Sequence, residues 1–464
     1  MRKSSLILIL IVSISCFSQN KQIIYNFTSV PQSMLSNPGS DVNYNWFVGF
    51  PLLSGISANV NSSGFSVYDL FADNGVDFNT KLRNVVFATS RNDKVALNEQ
   101  FEIFSGGFKL GDWQQNSYFS FGMYQELDVL TYMPKDYAIL ALDGNKDYLG
   151  KVFDMGDLSA RGELLSVFHL GFHEKVNERL ILGARGKIYS SIFNVSSTKN
   201  SGYFYTIQGT TNIYDQVISA NALVQTSGLT NYIDNYSGNA KSDIMKKTFL
   251  GGNLGLGLDL GLTYYPKENL QFTASLIDIG FIKHTKEIES YSYKGYYNYV
   301  GLTPDFVLGN NSDDILDEFN DAIPLDTLHT KYTTWRPLKF NSSIQYSFGD
   351  GRSSDCNCSG GTENKYKNAV GAQLFAMTTP RTPLMALTGY YRRQIFDSLE
   401  MKATYTVDSF SSKNIGLGLS TTLGRVNFYV LADNLLEYRD ISKANSLSFQ
   451  LGFNVIFSDK NTPD

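Results

Sequence analysis

Apolar and polar positions alternate repeatedly from Trp46 onward, and the clearest instance is the last. From Ser446 to Phe457 the apolar residues Leu447, Phe449, Leu451, Phe453, Val455 and Phe457 interleave with Ser448, Gln450, Gly452 and Asn454. Successive strand side chains point to opposite faces, so this stretch predicts a strand with one apolar and one polar face. A tilted strand of this length crosses a bilayer. The pattern returns over 254–265. There Leu254, Leu256, Leu258, Leu260 and Leu262 face one way, and Gly255, Gly257, Asp259, Gly261 and Thr263 the other. Its repetition separates a membrane barrel from a soluble sandwich, whose leucines would need a second sheet to cover them.

Strands are predicted at 46–61, 101–110, 117–130, 164–172, 180–192, 254–265, 270–279, 340–348, 368–377, 384–396, 399–407, 415–423, 426–433 and 446–457. Short polar turns join them at one end, at Gly111, His173, Pro266, Gly349, Asp397 and Gly424. Longer excursions leave the other end, at Gly64, Pro134, Ile192, Lys283, Thr378, Asp408 and Asn434. Within them 79–88 and 137–142 predict short helices, and 202–227 a hairpin beyond the membrane. Both chain ends on the short-turn side give an even count, about 14 strands, with 12 and 16 as neighbouring alternatives. The expected fold class is all-β, a single transmembrane antiparallel β-barrel with an N-terminal plug-like segment and short helices in its loops.

The first residues change the picture by adding an address. Arg2 and Lys3, the apolar 6–14 and the small residues up to Ser18 form a secretory signal peptide at 1–19, cleaved near Ser18 or Gln19. Cys16 raises lipidation, but Ser13 suits a lipobox poorly. No later stretch is apolar enough for a spanning helix, which leaves a closed barrel as the membrane solution. The expected organisation is a plug or periplasmic segment at 20–43, the barrel at 44–457 and a polar tail at 458–464. Aromatic residues are 14% and charged residues 18%, a balance that suits aromatic girdles around strands. The net charge of −5 gives no reason to expect nucleic acid as a partner.

Strand parity turns a polar set toward the lumen: Arg185, Lys187, Asp259, Gln373, Arg392, Glu400, Lys402, Gln450 and Asn454. Opposite charges there either pin a plug or line a permeation path, and a barrel interior is polar whatever its task. Arginine at the outward Leu258 is expected to impair assembly, and loss of the Asp259 charge to be tolerated. So polar a wall also differs from a fatty-acid pocket.

Candidate chemistry adds little. Cys356 and Cys358 have no second pair or nearby histidine to complete a zinc set, and a loop disulfide is the favoured reading. His169 and His173 share a face on a strand but stand too far apart for one ion, and His173, opening a turn, is expected in solvent. No nucleophile elbow or phosphate loop is present, so neither an enzyme nor a cofactor is expected. The tyrosines of 291–299 read as an aromatic girdle with loop packing.

The segment Ser29 to Gly39, with its Asn37-Pro38, resembles the N-terminal segment of several Bacteroidota outer-membrane proteins. Residues 257–266, 274–282 and 427–434 resemble a large uncharacterised barrel family of that phylum, similar to the long-chain fatty-acid transporters and to barrels that accompany type IX secretion. The resemblance implies the barrel fold and the cell outer membrane, and no ligand residue. The expected function is passive transport of a small hydrophobic or amphipathic molecule. The alternative is a non-transporting scaffold or accessory protein for type IX secretion or surface-protein anchoring. Expected partners are outer-membrane lipid, a small amphipathic ligand, and secretion or surface-anchoring proteins.

Overall fold

The structure, a computed structural model, describes residues 22–110, 117–209, 213–229, 240–301, 313–350, 366–411 and 413–457. Among them fourteen antiparallel strands close a barrel. Strand β1 has two pieces, Trp46–Gly49 and Ile56–Ser62. Then follow β2 (Lys94–Leu110), β3 (Ser117–Tyr132), β4 (Ala160–Asn177), β5 (Leu180–Ser197), β6 (Asn253–Lys267) and β7 (Leu270–His284). Strand β8 is again split, Tyr332–Trp335 and Lys339–Asp350, around Pro337, which cannot donate to a ladder. The wall continues with β9 (Tyr366–Met377), β10 (Leu384–Phe396), β11 (Leu399–Asp408), β12 (Asn414–Leu423), β13 (Val426–Asp433) and β14 (Ser446–Phe457).

Closure comes from β14 pairing with both pieces of β1, in the register Trp46 to Phe457 and Ile56 to Leu451. The Trp46 and Phe457 rings stack at 3.4 Å over that seam. Between the two pieces the chain bulges away at 50–55, yet the wall stays bonded. The Phe50 amide donates to the Phe453 carbonyl at 3.0 Å, and the Leu52 amide to the Ile103 carbonyl at 3.1 Å.

Alternation decides which face meets what. Along β6 the leucines 254, 256, 258 and 260 are exposed outward, while Asp259 and Thr263 are fully buried inward. At the short-turn end Trp46, Phe108, Phe172, Tyr264, Phe272 and Phe396 are all exposed, one aromatic per neighbourhood of the rim. An apolar band with an aromatic rim and a polar interior is the surface of a barrel that spans a bilayer.

The other end carries long connections. They build a second sheet of Val152–Asp154, Ser201–Gln208, Tyr214–Ser227, Ser290–Tyr299 and Leu325–Leu328. The helix Phe78–Ala88 packs there and starts at Asp77, whose side chain accepts from the Thr80 amide at 3.1 Å. The helices Lys135–Asp143 and Asp313–Ala322 lie in the same set of loops.

Two expectations need correction. The tyrosines of Ser290–Tyr299 do not girdle the wall: they pair with Tyr214–Ser227 in the loop-end sheet, because the segment leaves the barrel after β7. The turn at His173 shrinks to Glu178-Arg179, since β4 runs on to Asn177. His173 is therefore buried inside the wall, stacked on Tyr118 at 5.3 Å, and not in solvent. The signal peptide, the polar tail and the Cys356–Cys358 pair lie outside the described residues.

Candidate functional site

The lumen is occupied by the chain's own N-terminal segment. Between Gln22 and Asp41 every side chain is buried except Ser29, Leu35 and Ser36, which are half-buried. The segment is too polar to fold alone. It coils through tight turns, Phe27 to Ile24 and Val30 to Phe27, into the 3-10 turn Pro31–Leu35. Its orphan backbone groups are then satisfied by the wall, as buried polar groups must be. Thr263 donates to the Gly39 carbonyl at 2.8 Å, Ser275 to that of Ser36 at 2.7 Å, and Arg185 to that of Met34 at 2.6 Å. Lys402 donates to the Tyr25 carbonyl. The plug's Asn37-Pro38-Gly39 turn presses on β5 and β6 where these carry glycine. A Cβ at Gly183 would stand 2.2 Å from the Pro38 carbonyl oxygen, and one at Gly261 2.1 Å from Asn37 Oδ1. Only a wall without side chains at those points lets the turn dock.

On the β3–β8 side the lumen carries a buried chain of alternating charges. Arg185 meets Asp259 at 3.3 Å, and Lys187 meets the same carboxylate at 2.8 Å. Lys187 also meets Asp278 at 2.6 Å, which Lys339 contacts at 2.8 Å. Lys339 reaches Glu126 at 3.4 Å, Glu126 pairs with Arg336 at 3.0 Å, and Arg336 ends on Glu163. Asp259, Asp278 and Glu126 each lie between two bases and Glu163 closes the chain on Arg336, so charges balance and burial is tolerable; an unpaired member would be costly. It runs from the plug's Met34 carbonyl to the loop end.

The sequence-predicted residues fall on two sides. Arg185, Lys187 and Asp259 are brought together in this chain. Asp259 is held by two cations and also accepts from the Asp278 amide at 2.8 Å, so removing its charge is not the mild change expected of a water-facing position. Gln373 donates to Gln22 of the plug at 2.6 Å, and Asn454 exchanges hydrogen bonds with Gln32 at 2.9 and 3.0 Å. Arg392 pairs with Glu400 at 3.2 Å, away from the others at the turn end, and Gln450 is buried on β14. His169 and His173 are both buried on β4, and among the described residues no group of side chains could hold a metal ion.

Sequence reasoning missed Asp278, Glu126, Glu163, Arg336 and Lys339. Asp278 escapes parity through a β-bulge opposite Asp259. There β7 changes its inward set from Gln271, Thr273, Ser275 and Ile277 to Asp278, Ile282 and His284. Asp278 takes φ 65, a left-handed value that aspartate tolerates better than most residues. Glu126 had a signal, since it shares parity with Tyr124 and Asp128 within a predicted strand.

Among the described residues, cavities flank the plug and open among the loops. A cavity of about 100 Å³ lies on its loop-end side, lined by Gln22, Leu35 and Ser36 of the plug with Tyr124, Lys339 and Phe375. One of about 230 Å³ lies on the turn-end side, lined by Thr28, Ser29, Asn43 and Tyr44 with Arg392 and Glu400. A third, of about 270 Å³, opens among the loops and shares Asp128 with the first.

Solved structures of other proteins are similar to this chain over most of its length. The toluene transporter TodX of Pseudomonas putida is 9% identical, with 92% of each chain covered and a TM-score of 0.36. A FadL homologue of Pseudomonas aeruginosa is 11% identical, covering 93% of this chain and 95% of that one, with a TM-score of 0.44. The translocator domain of the autotransporter NalP from Neisseria meningitidis is 7% identical over 94% of this chain and 100% of its own, with a TM-score of 0.33. No curated protein matches the chain. Residues 38–433 match the family of unknown function DUF5723, and the chain belongs to that family.

Proposed function

We propose that this protein is a plug-gated transport barrel of the outer membrane, closed as it stands, which admits a small amphipathic molecule passively. One observation carries the reading: the plug's own residues line a cavity on each of its faces, about 100 Å³ toward the loops and about 230 Å³ toward the turns. A segment that divides two cavities within one lumen acts as a gate when it moves. Its contacts with the wall are non-covalent: hydrogen bonds, two of them from the charged donors Arg185 and Lys402, and the apolar cluster of Ile23, Ile24, Phe27 and Val30. The loop end then faces outside, as long connections do in such barrels.

The experiment is single-channel recording in a planar bilayer, comparing the full chain with a form lacking 22–41. The full chain is expected to be silent or to open briefly, and the plugless barrel to show stable conductance steps. A plugless barrel that folds, shifts on heating in a gel and stays silent would end the reading. A second reading, a scaffold for secreted or surface-anchored proteins, draws on the loop-end sheet, where Tyr293 and Tyr296 are exposed, one on each face. Silence of both forms would leave that one standing.

A further inference from the structure

The connection between β5 and β6 folds back onto the outside of the wall. Strand parity turns Gln125, Ser166 and Ser190 outward, and they stand side by side across β3, β4 and β5. Polar side chains on the outer wall would meet lipid, yet Ser166 and Ser190 are fully buried. The helix Ala240–Lys246 and the turn Lys247–Gly251 cover this row. Ser190 donates to the Lys247 carbonyl at 2.5 Å and accepts from the Gly252 amide at 3.2 Å, and Gln125 donates to the Thr248 hydroxyl at 3.0 Å. For water, this segment is inside out. It buries Lys247 and Thr248 and exposes Met245, Phe249 and Leu250, the last at φ 66, which leucine seldom adopts.

Its apolar side continues the lipid-facing band. One rung toward the turn end, Phe168, Ile188, Leu256, Phe281 and Trp335 are neighbours across β4 to β8, and all face outward. Trp335 is 76% exposed and meets the Phe281 ring edge-on at 5.8 Å, as an aromatic belt does at a membrane interface. On the loop side of that row stand lysines. Lys283 lies over the Phe281 ring at 5.8 Å, and Lys286 donates to the Gly251 carbonyl at 2.8 Å, beside Leu250. Lys247 is held between Asp243 at 3.2 Å and Glu287 at 2.6 Å. Among the described residues no acid stands in ion-pair reach of Lys246, Lys283 or Lys286, so two acids face four lysines and two positive charges are left over.

We propose that this rim binds a diphosphorylated, multiply acylated lipid of the outer leaflet, of the lipid A type. Its acyl chains lie along Phe249, Leu250, Leu256 and Trp335, and its phosphates meet Lys246, Lys283 and Lys286. Charge sets the phosphate count, since two surplus cations match two anionic groups. Continuity with the apolar band sets the direction: lysines on the loop side of the aromatic row put the headgroup at the loop end and the chains beneath it. A protein partner at this place would have to displace the bilayer. The inference takes from the transport reading only its orientation, loop end outward.

Native mass spectrometry of the refolded full chain in detergent tests it, with diphosphoryl lipid A, monophosphoryl lipid A and phosphatidylcholine as probes. Diphosphoryl lipid A is expected to saturate at one molecule per barrel. The monophosphoryl form should bind about fivefold more weakly or worse, and phosphatidylcholine should show no plateau. Lys283 makes no hydrogen bond among the described residues, so Lys283→Gln removes a charge and little else. It should weaken diphosphoryl lipid A by about fivefold. Lys267→Gln removes the same charge at the turn end of β6 and should change nothing. Should Lys283→Gln fail to fold, Lys246→Gln at an exposed position reads the same charge. Phe249→Ser should weaken both lipid A forms alike. Equal affinity for the two lipid A forms, no plateau with either, or unchanged binding in folded Lys283→Gln would overturn the inference. So would a loss in Lys267→Gln as large as that in Lys283→Gln. None of this needs conduction. If the plugless barrel stays silent while the full chain holds lipid A, the transport reading falls and this site stands. If the plugless barrel conducts and the full chain holds no lipid A, the reverse is true.

Discussion

The two sides of the lumen hold the same plug by different physics. On the side of β5 to β8, charged side chains form one connected chain whose first member, Arg185, grips the Met34 carbonyl. On the side of β9 to β14 the plug buries Ile23, Ile24, Phe27 and Val30 against Tyr429 and Leu431. Around that cluster the contacts are amides, Gln22 with Gln373 and Gln32 with Asn454, apart from Lys402 on the Tyr25 carbonyl. An ion-pair chain is directional and fails as a unit. Apolar packing is non-directional and gives way gradually. If the plug moves as proposed, this unevenness predicts that it leaves the β9–β14 side first and pivots on Met34.

The largest test of that contrast is Asp259→Asn. It leaves Arg185 and Lys187 with one neutral partner between them, and breaking a buried ion pair costs about 3–5 kcal/mol. The melting point of the barrel, read as the temperature at which its compact gel form is lost, should fall clearly. The plug should loosen with it, since Arg185 loses the anion that orients it. A melting point unchanged within error would mean that the chain is wet in the membrane, and its charge side no firmer than the other.

Gln373→Ala should give a smaller effect of a different kind. It leaves the buried Gln22 amide without its partner, a loss of about 1–3 kcal/mol. Little of this touches the wall, so the melting point should barely move. The cost falls on the seated plug, and brief openings of the full-length channel should become about tenfold more frequent. If Gln373→Ala lowered the melting point as far as Asp259→Asn, the two sides would be one cooperative unit and the pivot would vanish.

How much of this was readable in the sequence follows from the same contrast. Period-two alternation exposes whatever lies on a regular strand, so Arg185, Lys187, Asp259, Gln373, Lys402 and Asn454 could be placed before any coordinates. The polar stretch 20–43 was legible as a plug or a periplasmic segment, and the buried positions of Gln22 to Asp41 place its described part inside the lumen. Alternation breaks at a bulge, and there it misled: Asp278 turns inward only because β7 slips by one residue against β6. Glu102 on β2 sits at a similar slip, next to Phe104, and was also passed over. Arg336 and Lys339 flank the break in β8 at Pro337, where no strand pattern extends. Three of the eight members of the ion chain were therefore legible: Asp278, Arg336 and Lys339 occupy irregular positions, whereas Glu126 stands on a regularly alternating strand and was passed over.

The smallest test lies in the apolar cluster itself. Ile24→Val removes one methylene from a fully buried side chain, worth about 0.5–1.5 kcal/mol, and touches no hydrogen bond or charge. Because packing gives way gradually, the expected outcome is a several-fold rise in brief openings at most, below that of Gln373→Ala, with the melting point unchanged. Combined with Asp259→Asn it should add to the opening rate without altering the melting point further, since Ile24 belongs to the β9–β14 cluster and Asp259 to the opposite side. A double variant that melts well below Asp259→Asn alone would show that the apolar side carries the barrel's stability and the ion chain merely decorates it, which inverts the comparison.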